Sequence, residues 1–214
     1  MNYIAHINLA NCGDSHLLGN FLGDFVKGDV KTWTKSGHNE TLSSAILSGI
    51  KLHRKIDSYT DSHNINVELR KVFPRSIRRM SGVVIDIYFD HLLCVNWDCF
   101  NEQSLPNLLD DFYQELASNN IYISERYQQV KNSLIKHQWL INYQTNTSCL
   151  NAYKQIEHRL GKRIEFADIA FHFVSKNHEL LNDQFQSFYP DLIDFAKKES
   201  KNIKNTPLYK DEPC

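Results

Sequence analysis

The chain has 214 residues, enough for one good core or two small ones, and its 42% hydrophobic and 23% charged content is ordinary for a soluble globular protein. With only 8 Gly and 5 Pro, the composition disfavours a turn-rich β fold and favours long helices, while a formal net charge of -1 points to no nucleic-acid and no membrane partner. The five cysteines (Cys12, Cys94, Cys99, Cys149 and Cys214) are odd in number, widely spaced and free of any CxxC, which excludes a disulfide scaffold or zinc ribbon.

Met1–Ala10 lacks the basic segment and long apolar run of a signal peptide, and no window reaches about 18 apolar residues. A reducing cytoplasm is the expected setting. Met1–Asn11 is half apolar with His6 at its middle, whose ordinary reading is a partly buried core histidine. Asp14 or Ser15 can cap a helix running to about Lys27 and ending at Gly28, with Leu17, Leu18, Phe21, Leu22, Phe25 and Val26 as its apolar face. Gly19 and Gly23, four apart, predict a close helix contact. Asp24 lies beside the apolar face, where a carboxylate is costly unless paired or metal-bound. Residues 29–40 read as a polar loop, and Thr41 opens the next helix.

That helix follows the pattern Leu42, Ala45, Ile46, Gly49, Ile50 and ends in LHRKIDSYTD over residues 52–61. His53, Asp57 and Asp61 stand at i, i+4 and i+8, a single stripe of an α-helix. Carboxylates one turn apart repel by roughly 0.2–0.5 kcal/mol when exposed and by more when buried, and a divalent cation or an arginine removes that problem. The ordinary alternative is a solvated face, with Asp61 or Ser62 capping the helix that follows. After a break at 62–66, with Asn64 or Asn66 as cap, a short helix runs from Val67 to Phe73 and stops at Pro74. Arg75–Trp97 is apolar almost all round, so it is expected to be central, burying Val83, Ile87, Leu93 and Trp97. Asp86 and Asp90 again lie i, i+4, with His91 beside them. On a buried helix such a pair needs compensation, and a metal is the simplest.

In the second half, helices are expected from Pro106 to about Ala117, over 121–143, over 149–160 ended by Gly161, over 165–181 and over 184–195, with Pro190 as a kink or break. His137, His158, His172 and His178 have no consistent acid partner and read as structural or surface residues. The whole reads as an all-α, single-domain helical bundle over residues 1–200. Residues 1–97 carry the site, 98–200 cover it, and 201–214 form a flexible tail.

No GxGxxG, P-loop, HExxH or GxSxG occurs. The chemistry therefore rests on His6, Asp24, His53, Asp57, Asp61, Asp86, Asp90 and His91. Mixed His/Asp ligands without a thiolate suit Mn2+, Fe2+, Zn2+ or Mg2+. Such an ion lowers the pKa of bound water and clamps a phosphoryl oxygen, and a spare carboxylate can orient or deprotonate the attacking water. This is the equipment of the helical metal-dependent phosphohydrolases of the HD superfamily, although their adjacent His-Asp dipeptide is absent.

Four motifs in order, MNYIAH (1–6), GNFLGDFVKG (19–28), GIKLHRKIDSYTD (49–61) and DIYFDHLL (86–93), resemble the acyl carrier protein phosphodiesterases. A weaker likeness continues through QWLINY (138–143) and FQSFYP (185–190). The resemblance implies an all-helical, divergent HD-like fold and a divalent metal, Mn2+ first. It implies hydrolysis of the phosphodiester that joins 4′-phosphopantetheine to a serine of acyl carrier protein. Asp24, His53, Asp57, Asp61, Asp86, Asp90 and His91 stand where the family motifs have the same residue types; metal ligation is expected of His6, His53, Asp57, Asp86 and Asp90, and catalytic parts of Asp24, Asp61 and His91, with the division of the acids between ligand and base left open. Asn8 and Asn96 depart from the pattern, standing where some members have histidine.

Carrier proteins are acidic, so a local basic patch is expected despite the neutral net charge. Arg70, Lys71, Arg75, Arg78 and Arg79 cluster before the Asp86 helix, and Arg54 and Lys55 lie beside His53. Arg54, Arg78 and Arg79 are the expected substrate or partner contacts, against the ordinary alternative of a solvated face. Two other readings compete: an HD-like phosphohydrolase acting on a nucleotide or other small phosphoester, and a non-catalytic helical module that binds an acidic protein.

Overall fold

The structure, a computed structural model, describes residues 1–29, 42–161 and 164–206. Ten α-helices are described: α1 (Tyr3–Cys12), α2 (Leu17–Leu22), α3 (Ser44–Ser62), α4 (Asn64–Val72), α5 (Ser81–Val95), α6 (Leu105–Ser118), α7 (Glu125–His137), α8 (Asn146–Leu160), α9 (Ala167–Lys176) and α10 (His178–Asn205). Among the described residues there is no strand, so the fold is all-α. The expected loop over residues 30–40 and the helix start at Thr41 lie outside the described residues.

Two helices share the centre. As expected, α5 is buried over most of its length and Ile87, Leu93 and Trp97 are buried, although Val83 is 37% exposed and Val84, Ile85, Tyr88, Phe89 and Leu92 are buried as well. The second is α1, which the apolar pattern of residues 1–11 does not single out. Ile4 through Ala10 are all buried, so α1 has no polar face and no amphipathic period to read. It packs between α2, α5 and α10.

The crossing of α2 and α3 is set by glycines. A Cβ on Gly19 would lie 2.6 Å from the Ile46 carbonyl oxygen, and one on Gly49 would lie 2.8 Å from the Gly19 Cα, so the two backbones meet directly. One turn further along both helices, a Cβ on Gly23 would sit 2.1 Å from His53 Cγ. The paired spacing 19/23 and 49/53 therefore presses the His53 ring against the end of α2.

Several helix ends differ from expectation, each for a tertiary reason. α2 stops at Leu22, with His16 rather than Asp14 or Ser15 accepting from an early amide, Gly19 N. The turn that follows is tied to α3 by Arg54, which donates to the Val26 carbonyl at 3.0 Å. α4 begins at Asn64 without a side-chain cap, because Asn66 is buried and donates to the Thr60 carbonyl at 2.9 Å. The single helix expected over 121–143 is broken at Gln138 (φ 44), and a 3-10 turn over Trp139–Gln144 buries Leu140 and Tyr143. α10 runs through Pro190, since Phe185, Phe188, Tyr189, Leu192 and Ile193 are buried on both sides of it and that burial offsets the lost backbone bond. It also continues to Asn205, into the segment from 201 expected as a flexible tail. Ser200 is buried and Lys204 pairs with Asp14 at 2.6 Å.

Candidate metal centre and its cleft

Three helices bring their polar side chains to one point. His53 and Asp57, one turn apart on α3, face α1, and His53 Nε2 meets Asp57 Oδ2 at 3.0 Å. From α1, His6 Nε2 meets the other oxygen, Asp57 Oδ1, also at 3.0 Å. The two imidazoles stack with centroids 3.9 Å apart and planes 24° apart. Among the described residues these are the three His, Cys, Asp or Glu side chains whose ligand atoms converge, all within 4.8 Å of one another. Two donors each about 2.1 Å from one ion and at right angles to each other are about 3.0 Å apart, so the observed spacing fits a single divalent ion.

The fourth member is Asn20 on α2, which is buried and whose Oδ1 lies 3.0 Å from His6 Nδ1. The two ring nitrogens of His6 thus face the Asn20 side-chain amide and the Asp57 carboxylate. Burial, and then the neighbouring His53, lowers the His6 pKa and opposes a second proton. Burial likewise opposes charge on Asp57, but its contacts with His53 and His6 outweigh that and hold its carboxyl well below the usual range. The Asp57 side chain remains 44% exposed, so an ion and water can reach it.

The remaining acids have other partners. Asp90 is fully buried and accepts from the backbone amides of Asn2 (3.2 Å), Ile4 (2.8 Å) and Ala5 (3.2 Å). It thereby caps α1, whose own Asn2 makes no capping bond. Burial pushes its pKa up to about 7 against the pull of those amides. Asp86 accepts from the Met1 amino group at 2.9 Å. His91 Nδ1 lies 2.7 Å from the Tyr143 carbonyl and so donates to it. Asp61 is exposed and pairs with Arg70. Of the eight residues read as chemical, the structure thus gathers His6, His53 and Asp57. Asp24 and Asp86 line the cleft described next, and Asp61, Asp90 and His91 are engaged elsewhere.

The basic residues divide similarly. Arg54 holds the turn after α2, and Arg78 donates through Nε and Nη2 to the Phe73 carbonyl (3.3 and 3.1 Å), while Arg75 and Arg79 are exposed. The two asparagine departures fall away from the donor cluster. Asn8 donates to the Tyr189 hydroxyl at 2.9 Å, and Asn96 to the Leu92 carbonyl at 2.8 Å.

A cleft of about 770 Å³ is lined by none of the three donors but includes Asp24, the residue after the Gly23 that abuts His53. One wall carries Met1, Tyr3, Asp24 and Asp86, and the other is built by α7, the Trp139–Gln144 turn and α8, including Arg126 and Arg159. Sequence reading passes over Asn20, Tyr3, Arg126 and Arg159. Asn20 does carry a signal, a polar residue on an apolar helix face that needs a buried partner. The arginines carry none, because only the packing of α7 and α8 brings them to the cleft.

Comparison with known proteins agrees in one direction. The family described as acyl carrier protein phosphodiesterase matches residues 1–192. A protein of that name from Photorhabdus laumondii is 29% identical over 208 residues, covering 97% of this chain and all of that protein. One from Yersinia pestis is 31% identical over 198 residues, covering 90% of this chain and 96% of the relative. One from Escherichia coli is 27% identical over 216 residues, covering 94% of this chain and all of the relative. No solved structure matches. With a family match over residues 1–192, on an all-helical frame, the chain belongs to the acyl carrier protein phosphodiesterase family.

Proposed function

We propose that this protein is a metal-dependent phosphoric diester hydrolase that removes 4′-phosphopantetheine from holo-acyl carrier protein, giving apo-carrier protein and 4′-phosphopantetheine. The names of its relatives supply the substrate class. The observation that carries the metal reading is the convergence of His6 Nε2 and His53 Nε2 on the Asp57 carboxylate, each 3.0 Å from one of its oxygens. His6, His53 and Asp57 would hold the ion, Mn2+ in the first instance. Two imidazoles and one carboxylate leave coordination positions open for water and substrate. The ion would supply Lewis acidity and a more acidic bound water. The divergent HD-like reading rests on the same cluster, with ligands drawn from separate helices rather than from an adjacent His-Asp pair.

The chain's own residues then have separable parts. Asn20 orients the His6 ring through Nδ1. Asp24, exposed in the turn that begins at Gly23 and on the cleft wall, is the carboxylate free to accept a proton from attacking water. Asp90 works at one remove, by holding the α1 end that carries His6. Arg75 and Arg79 supply exposed positive charge for an acidic partner.

The test is intact-mass analysis of holo-acyl carrier protein after incubation with the protein, with Mn2+ or with a chelator. Loss of the phosphopantetheine mass only with metal is the expected result. Bound metal without that loss would move the activity to another phosphoester, and neither turnover nor bound metal would leave a carrier-protein binding module.

A further inference from the structure

The cleft that Asp24 lines has two chemically different walls. Arg126, in the first turn of α7, and Arg159, in the last turn of α8, are both exposed, and among the described residues neither has a carboxylate within ion-pairing distance. The Arg126 guanidinium lies 5.3 Å over the Phe25 ring. Both arginines line the cleft together with Tyr3 and Asp24. Two unpaired cations there can hold an anion, since the other acid on that wall, Asp86, is already neutralised by the Met1 amino group.

The rest of the lining is mixed. Gln129, Asn151 and Gln155 offer side-chain amides, and Ile87 and Ile156 offer apolar surface. A volume of about 770 Å³ is that of a small-molecule site. The complementary ligand is slender, with a phosphate at one end and amide groups separated by apolar segments along its length.

We propose that this cleft is the subsite for the phosphopantetheine arm, with Arg126 and Arg159 as the clamp on its phosphate and the α7–α8 amides reading the chain. The assignment rests on the carrier-protein phosphodiesterase reading above and adds to it where the arm lies and which residues select it.

Trp139 lines the cleft, so binding can be followed by its fluorescence without metal or turnover. Metal-free protein, with chelator present, is titrated with 4′-phosphopantetheine, with pantetheine and with inorganic phosphate. The expected result is quenching by 4′-phosphopantetheine at concentrations about tenfold below those of either fragment, and loss of the signal in Trp139→Phe. Arg126→Gln and Arg159→Gln should each weaken binding about tenfold and raise KM for holo-carrier protein more than they lower kcat. Arg126→Lys and Arg159→Lys, which keep the charge, guard against a folding defect and should recover part of the affinity. Equal affinity for inorganic phosphate, or unchanged affinity in both glutamine variants, overturns the proposal. Turnover of holo-carrier protein with unaltered KM in those variants overturns the cleft assignment alone. Arginine-dependent binding of 4′-phosphopantetheine without turnover on any metal overturns the enzymatic reading and leaves the cleft standing.

Discussion

Substituting Gly23 by Ala tests the link between helix packing and the metal cluster with a single methyl group. Gly23 has φ -52 and ψ -35, which alanine adopts freely, so nothing in the backbone opposes the change. The obstacle is contact alone. The new Cβ would lie 2.1 Å from His53 Cγ, 2.3 Å from Cδ2 and 2.6 Å from Cβ. Carbon atoms pack at about 3.5–4.0 Å, so ring and backbone must part by at least about 1.4 Å. Overpacking of this kind costs about 1–3 kcal/mol, read as a fall of about 2–4 °C in Tm for each kcal/mol. The larger effect should be on the site, because a shift of that size breaks the 3.0 Å contact between His53 and Asp57. The assay pairs thermal denaturation with metal stoichiometry after loading with Mn2+. Gly82→Ala is the control: its Cβ would meet no atom closer than 3.6 Å, and it should stabilise α5 by up to about 1 kcal/mol with metal content unchanged. A Gly23→Ala protein with wild-type Tm and full metal content would refute the reasoning.

Three further outcomes are expected. Asp57→Asn should cut bound Mn2+ and holo-carrier-protein hydrolysis together, and hydrolysis at the wild-type rate would remove Asp57 from the site. Asp24→Asn should keep the metal, checked by elemental analysis, and lose about 10²-fold or more in kcat, as expected for a general base; a loss of metal instead would make Asp24 a ligand. Burial raises the pKa of Asp90 from 3.8 to about 7, so the folded protein holds a proton that the unfolded chain releases. Stability from this group is full below about pH 4 and is lost as pH rises toward 7, by at most about 4 kcal/mol. Denaturant unfolding of wild type against Asp90→Asn should show a flatter pH slope in the variant across that window, and parallel slopes would sink the assignment.

Much of this was readable from residue order. The helical class follows from few glycines and prolines and from apolar residues at helical spacing, both local properties. The i, i+4 spacing of His53 and Asp57 predicts that they share a face, because α-helical geometry fixes it. Gly19 and Gly23 predict a close helix contact, and the structure places that contact against α3. The same spacing argument treats Asp86 and Asp90 as a second ligand pair, yet their carboxylates turn to different partners, the Met1 amino group and the amides of α1. Spacing fixes direction from the helix axis and says nothing about which chain end arrives there.

What the sequence determined by itself is therefore the helical class, the buried character of α5 and the residue types available for metal chemistry, since each depends on neighbours within a few turns. The tertiary structure decided the rest. It made α1 central although no amphipathic stripe marks it, brought His6 across 51 positions to Asp57, recruited Asn20 behind it, and set two arginines from α7 and α8 in one cleft with Asp24. Those contacts join residues far apart in the chain, and only the mutual burial of whole helix faces selects them.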